Sequence, residues 1–174
     1  VEDQAEVSDP FVYLREFREF LSWRKGDAIV LAEANLPAEE LPHYFGDGDR
    51  MQMLFNFILN QQLMLALVRE SAEPLVNGLK SLPPLPKLGQ WAMFVRNHDE
   101  LTLDKLSKAE QTEVAKQFAP DQEKMWIFDR GIRRRLPPML NGDLQRIQLA
   151  YSLLFTLPGA PVLFYGEEIG MCED

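Results

Sequence analysis

Cysteine is nearly absent from this chain: Cys172 is the only one, so no intrachain disulfide can form. Histidine is almost as scarce, with His43 and His98 alone, which excludes a Cys/His zinc constellation. No apolar run approaches the roughly 18 residues that a membrane span requires, and no secretory signal is visible. A surplus of positive charge is missing too. Lys and Arg number 18 against 27 Asp and Glu, a net charge of -9, without the basic face that a nucleic-acid partner needs. No Gly-rich phosphate loop is present, so a dinucleotide-binding reading lacks its main feature. These absences call for no cofactor, no metal, no nucleic acid and no membrane, with the cytoplasm as the default compartment.

What is present suits a packed globular domain. Hydrophobic residues make up 46% of the 174 and charged ones 26%, values that indicate neither disorder nor collagen-like repeats. After a short acidic lead (1–9), residues 10–25 read as a helix, with Asp9 as N-cap, Pro10 at the first helical position and Gly26 beyond the end. Its apolar positions 13, 14, 17, 20, 21 and 23 share one face. "AIVLAEAN" (28–35) predicts a strand buried on both faces. Residues 51–57 predict a strand that continues as a helix to about 70, and "AEPLVNGLKSL" a further helical piece. "QWAMFVRN" (90–97) predicts the next strand. "SKAEQTEVAKQF" predicts a helix with Ser107 and Glu110 as a capping box. Residues 142–159 predict a helix capped by Asp143 and ended by Gly159, and "APVLFYGEE" (160–168) a last buried strand. Strands alternating with helices mean βαβ units and a parallel sheet.

Three of these strands run into polar residues: Glu33 and Asn35, Asn97-His98-Asp99, and Gly166-Glu167-Glu168. In parallel α/β folds ligands sit at the C-terminal strand ends. Glu33 and Asp99 offer a carboxyl each. If both strands belong to one barrel, both carboxyls face one mouth, and paired carboxylates are the working parts of glycoside hydrolysis and transfer. Spacing alone leaves the bland alternatives open, since a strand-end Glu also serves as a structural residue or helix cap. The other features read more simply: "FGDGDR" (45–50) as a Gly-rich turn, "PPLPKL" (83–88) as a stiff connector, and Trp91 and Phe94 as core aromatics. Glu167 and Glu168 read as fixing the loop after the last strand, and "RGIRRRLPP" (130–138) as a solvated helix end or anion contact.

"FVRNHDE" resembles the segment of the α-amylase superfamily in which an aromatic strand ends in Asn-His-Asp, "IVLAEAN" the segment with that family's general-acid Glu, and "GAPVLFYGEEIGM" its eighth-strand segment. "NHDELTLDKLS", "YFGDGDRMQMLFNF" and "RGIRRRLPPMLNGD" resemble the trehalose synthase branch (maltose glucosyltransferases). The resemblance implies an α/β fold, a fragment of a TIM (β/α)₈ barrel comprising about strands five to eight, with 1–174 as the C-terminal half of the catalytic domain. It implies Glu33 as acid/base and Asp99 as the carboxylate that holds substrate hydroxyls and stabilises the transition state. His98 is implied as a sugar-hydroxyl ligand, with Asn97 beside it in the same motif. The Arg-x-Asp segment that carries the family's nucleophile has no counterpart here and is expected upstream, so the isolated chain is expected to be inactive.

Two stretches depart from the pattern: Leu36-Pro37 stands where the branch has a polar-aromatic pair, and "ILNQQ" (58–62) where a Pro-rich segment is expected. The implied activity is retaining glucosyl transfer interconverting maltose and trehalose, on a small α-glucoside substrate. An α-glucosidase, a sucrose-acting hydrolase and a non-catalytic carbohydrate-binding half-barrel are the alternatives. An open half-barrel is further expected to self-associate, because it leaves strand edges and inward apolar side chains uncovered.

Overall fold

The computed structural model describes residues 9–128 and 130–173; of the acidic lead, residues 1–8 lie outside them. The chain divides into two units, Val1–Phe55 with Pro83–Gln90, and Asn56–Leu82 with Trp91–Asp174.

The first unit opens with helix α1, Val12–Arg24. Its N-cap position is Phe11 rather than Asp9. The Asp9 carboxylate instead accepts from the Phe11 N–H at 2.9 Å and pairs with Arg50 at 3.0 Å, which draws it away from the first helical turn. The predicted apolar face exists but is uncovered. No residue of α1 is buried, and Tyr13, Phe17, Phe20 and Trp23 are exposed. Polar ties hold the helix: Arg15 to Asp49 at 2.6 Å and Arg18 Nη1 to the Arg50 carbonyl at 3.2 Å.

Strand β1 is only Leu31–Ala32, and Leu31 is 40% exposed, so the expectation of a long strand buried on both faces fails. The Gln52 side chain stands in for the missing ladder, its Oε1 accepting from the Val30 N–H and its Nε2 donating to the Ala28 carbonyl. Helix α2, Leu41–Phe45, buries both its ends. It leads into the Gly-rich turn, where Gly46 and Gly48 take positive φ of 57° and 92°. Strand β2, Met53–Phe55, pairs in parallel with β1. It is shorter than the predicted 51–57 because Asn56 caps the next helix, accepting from the Leu59 N–H at 2.9 Å.

The core of the second unit is helix α3, Phe57–Arg69, which buries Leu59, Leu63, Met64, Leu65 and Leu67. Helix α4, Glu73–Ser81, lies against it where Gly78 allows close approach: a Cβ there would meet Gln62 Cγ at 3.0 Å. Strand β3, Gln90–Phe94, carries Trp91 and Phe94 into the core. Strand β4 is Leu101–Thr102. Helix α5, Lys108–Phe118, has the predicted capping box of Ser107 and Glu110.

Helix α6, Gln122–Met125, leads into β5, Trp126–Ile127, and β6, Gly131–Ile132. The three short strands β4, β5 and β6 form an antiparallel sheet that no pattern in the sequence announces. Strands of two residues have no period to read. Helix α7, Leu136–Met139, precedes α8, Leu144–Thr156, whose cap Asp143 accepts from the Gln145 and Arg146 N–H groups as predicted. Strand β7, Ala160–Val162, pairs in parallel with β3, Ala92 opposite Ala160 and Phe94 opposite Val162. It is shorter and less buried than expected. Pro161 has no N–H to offer a second neighbour, and Leu163 and Tyr165 are exposed. No helix among the described residues is long and apolar enough to cross a membrane.

Candidate functional site

Strand β3 and its continuation stay buried from Trp91 to Asn97, and exposure begins abruptly at His98 and Asp99. The cause is local. Asn60 of α3 donates its side-chain amide to the Phe94 and Val95 carbonyls, at 3.0 and 2.8 Å. Asn97 Oδ1 then accepts from the Asp99 N–H at 3.2 Å, closing an Asx-type turn that throws the next side chains outward. His98 Nε2 and Asp99 Oδ1 lie 3.8 Å apart, with side chains 64% and 57% exposed. An imidazole and a carboxylate side by side offer a donor and acceptors to vicinal hydroxyls of a sugar. Asn97, expected at the substrate, is buried and spends its Oδ1 on the turn. Glu33 belongs to the first unit. It follows β1 directly and is exposed, at a strand end as predicted.

Arg96 has no role among the sequence motifs, yet the structure buries it. It is 6% exposed; its Nε donates to the Arg134 carbonyl at 2.8 Å and its Nη2 to the Asp99 carbonyl at 2.7 Å. Burial pushes its pKa down to about 10, opposed by the negative charges of Glu167, Glu100 and Glu173. It therefore stays cationic at neutral pH. The one sequence signal was its place: an arginine directly after a buried apolar strand has a structural or chemical reason to be there.

Three of the four arginines of the basic run contact carboxylates of this chain. Arg130 binds Glu100. Arg134 bonds Glu173 at 3.0 Å and the Phe118 carbonyl at 2.9 Å. Arg135 donates to the Tyr165 carbonyl at 2.9 Å, covers the Phe164 ring at 4.5 Å and lies 3.7 Å from Glu167.

Glu167 is buried and Glu168 exposed, so the two neighbours differ in task. The Glu167 carboxylate accepts from the Tyr151 hydroxyl. Burial raises its pKa, while Tyr151, Arg96, Arg135 and the Leu136 N–H oppose that rise. Glu167 thereby anchors the loop after β7, as expected. Beside the turn lies a cavity of about 270 Å³ lined by Arg96, His98, Asp99, Phe128, Arg133 and Phe164, among others. Phe128 reaches it from the tip of the β5–β6 hairpin, 71% exposed and with a positive φ of 56°.

No protein-family profile matches the chain. Among curated proteins it is 44% identical over 162 residues to the trehalose synthase of Thermus thermophilus, covering 92% of this chain and 17% of that protein. It is 39% identical over 169 residues to the trehalose synthase/amylase of Mycobacterium tuberculosis, covering 95% of this chain and 28% of that protein. The chain thus spans less than a third of the length of these relatives. Among solved structures the α-amylase from H. orenii superposes with a TM-score of 0.62 at 19% identity, covering 98% of this chain and 29% of the other. That likeness gives the fold, part of an α-amylase-type (β/α)₈ barrel. By sequence over more than nine-tenths of its length, the chain is similar to a part of trehalose synthases.

Proposed function

We propose that these 174 residues, the C-terminal half of a catalytic barrel, supply the acid/base and sugar-holding side of a retaining glucosyltransferase that interconverts maltose and trehalose. The observation that carries the reading is the exposed His98–Asp99 pair at a strand end, in a chain 44% identical to a trehalose synthase over 92% of its length.

In this reading Glu33 protonates the glycosidic oxygen as the bond from C1 to the second glucose breaks. A carboxylate from elsewhere in the full-length enzyme attacks C1 from the opposite face and forms the glucosyl-enzyme. Asp99 accepts hydrogen bonds from the ring hydroxyls and stabilises the positive charge that grows at C1. His98 donates to the same sugar, and Asn97 holds the turn that presents both. The released glucose turns within the site. Its anomeric hydroxyl attacks C1 and displaces the enzyme carboxylate while Glu33, now ionised, takes the proton, and the product is trehalose. The substrate is a small α-glucoside, in keeping with a cytoplasmic place of work. The chain by itself self-associates and turns nothing over.

The test is product analysis. The full-length enzyme that carries this chain is incubated with maltose and the products are resolved by chromatography. Trehalose as the main product is expected. Glucose alone would make the enzyme a hydrolase and overturn the reading.

A further inference from the structure

Arg96 is a buried charged side chain that the reaction scheme leaves without a task. Asp99 projects into solvent, yet its own peptide is gripped at both ends, the N–H by Asn97 Oδ1 and the carbonyl by Arg96 Nη2. The same guanidinium holds the Arg134 carbonyl through Nε. Arg134 is fixed to Glu173 and the Phe118 carbonyl, and Arg135 reaches Glu167 and the Tyr165 carbonyl. One planar fork therefore references the turn 97–99 to the segment before α7, which is itself tied to the loop after β7.

A turn that needed only stability could be closed by a neutral amide at far lower desolvation cost. Lysine does not reproduce the fork, because its ammonium donates from one freely rotating centre and not from two nitrogens held in one rigid plane. Accurate placement is what such a device provides, and a misplacement of about 1 Å can cost a reaction about 100-fold.

We propose that Arg96 is a positioning residue, which fixes the turn 97–99 so that the Asp99 carboxylate and the His98 imidazole meet the sugar in the geometry of the transition state. The proposal rests on the role given to Asp99 above.

The experiment is a double-mutant cycle in the full-length enzyme with maltose as substrate, using R96M, D99N and R96M/D99N. R96M should lower kcat by roughly 30- to 100-fold, with KM changed less than about 3-fold, because the placement it disturbs matters in the transition state. On the D99N background the same change should cost less than about 3-fold, since the group being positioned is already disabled. Methylguanidinium should restore part of the kcat of R96A, and R96K should stay impaired. If R96M does not fold, R96K enters the same cycle. A kcat within about 3-fold of the unmodified enzyme, or losses that multiply in the double variant, would overturn the proposal. Ordinary turnover by D99N is a separate outcome: it would refute the role of Asp99 itself.

Discussion

Replacing Tyr151 by Phe removes one hydroxyl and leaves the ring. That hydroxyl donates to the buried Glu167 carboxylate, whose other oxygen has no hydrogen-bond partner among the described residues and lies 3.7 Å from Arg135. A hydrogen bond to a charged group contributes about 1.5–3 kcal/mol, so Tyr151→Phe should cost about 2 kcal/mol at pH 7. For a chain of this size that lowers Tm by about 4–8 °C. The sign of the pH dependence follows from Glu167. Burial raises its folded pKa, so ionisation disfavours the folded state above that pKa, and below the unfolded value near 4.3 the disadvantage is absent. The tyrosine hydroxyl offsets that disadvantage. Its loss should therefore be felt most above the raised pKa and shrink to about 1 kcal/mol by pH 4, where the folded carboxyl is neutral. Urea denaturation at pH 7 and pH 4 measures both values. A cost under about 0.5 kcal/mol at pH 7, or an equal cost at both pH values, would refute the reasoning.

Other outcomes follow from single features. Asp99→Asn in the full-length enzyme should remove most activity on maltose and move Tm by no more than about 2–4 °C, because the carboxylate is exposed and packs little; unfolding without a kinetic defect would make it a structural residue. Ser107→Ala breaks the capping box of α5 and should cost about 1 kcal/mol in urea denaturation, with no change in substrate affinity. The isolated chain should self-associate through its uncovered apolar surface, such as Tyr13, Phe17, Phe20 and Trp23 on α1; light scattering from a monodisperse monomer would contradict this.

Features written in neighbouring residues are legible in the sequence itself. The capping box of α5 lies within four consecutive positions, Ser107 to Glu110, and the Asp143 cap within a similar span. Asn97-His98-Asp99 stands out because ionisable groups interrupt a buried strand. Features that depend on distant partners are not legible in this way. Strand β4 exists because Leu101 finds Ile132, and nothing local to either residue announces that pairing. Arg96 reads as one more charge until the Arg134 carbonyl, 38 positions away, is placed against it. The apolar spacing of α1 predicts a face but cannot say what covers it. Leu31 and Leu163 look like core residues because an apolar run carries no record of which sides its neighbours occupy.

Whether Glu33 is the acid/base of a glucosyl-transferring site can be decided by Glu33→Gln in the full-length enzyme on two substrates. The first step on an activated aryl glucoside needs little protonation of its leaving group, whereas maltose needs it fully. The expected result is a fall in kcat of several orders of magnitude on maltose and a much smaller fall in the first step on the aryl glucoside. Equal losses on both substrates would contradict the acid/base role.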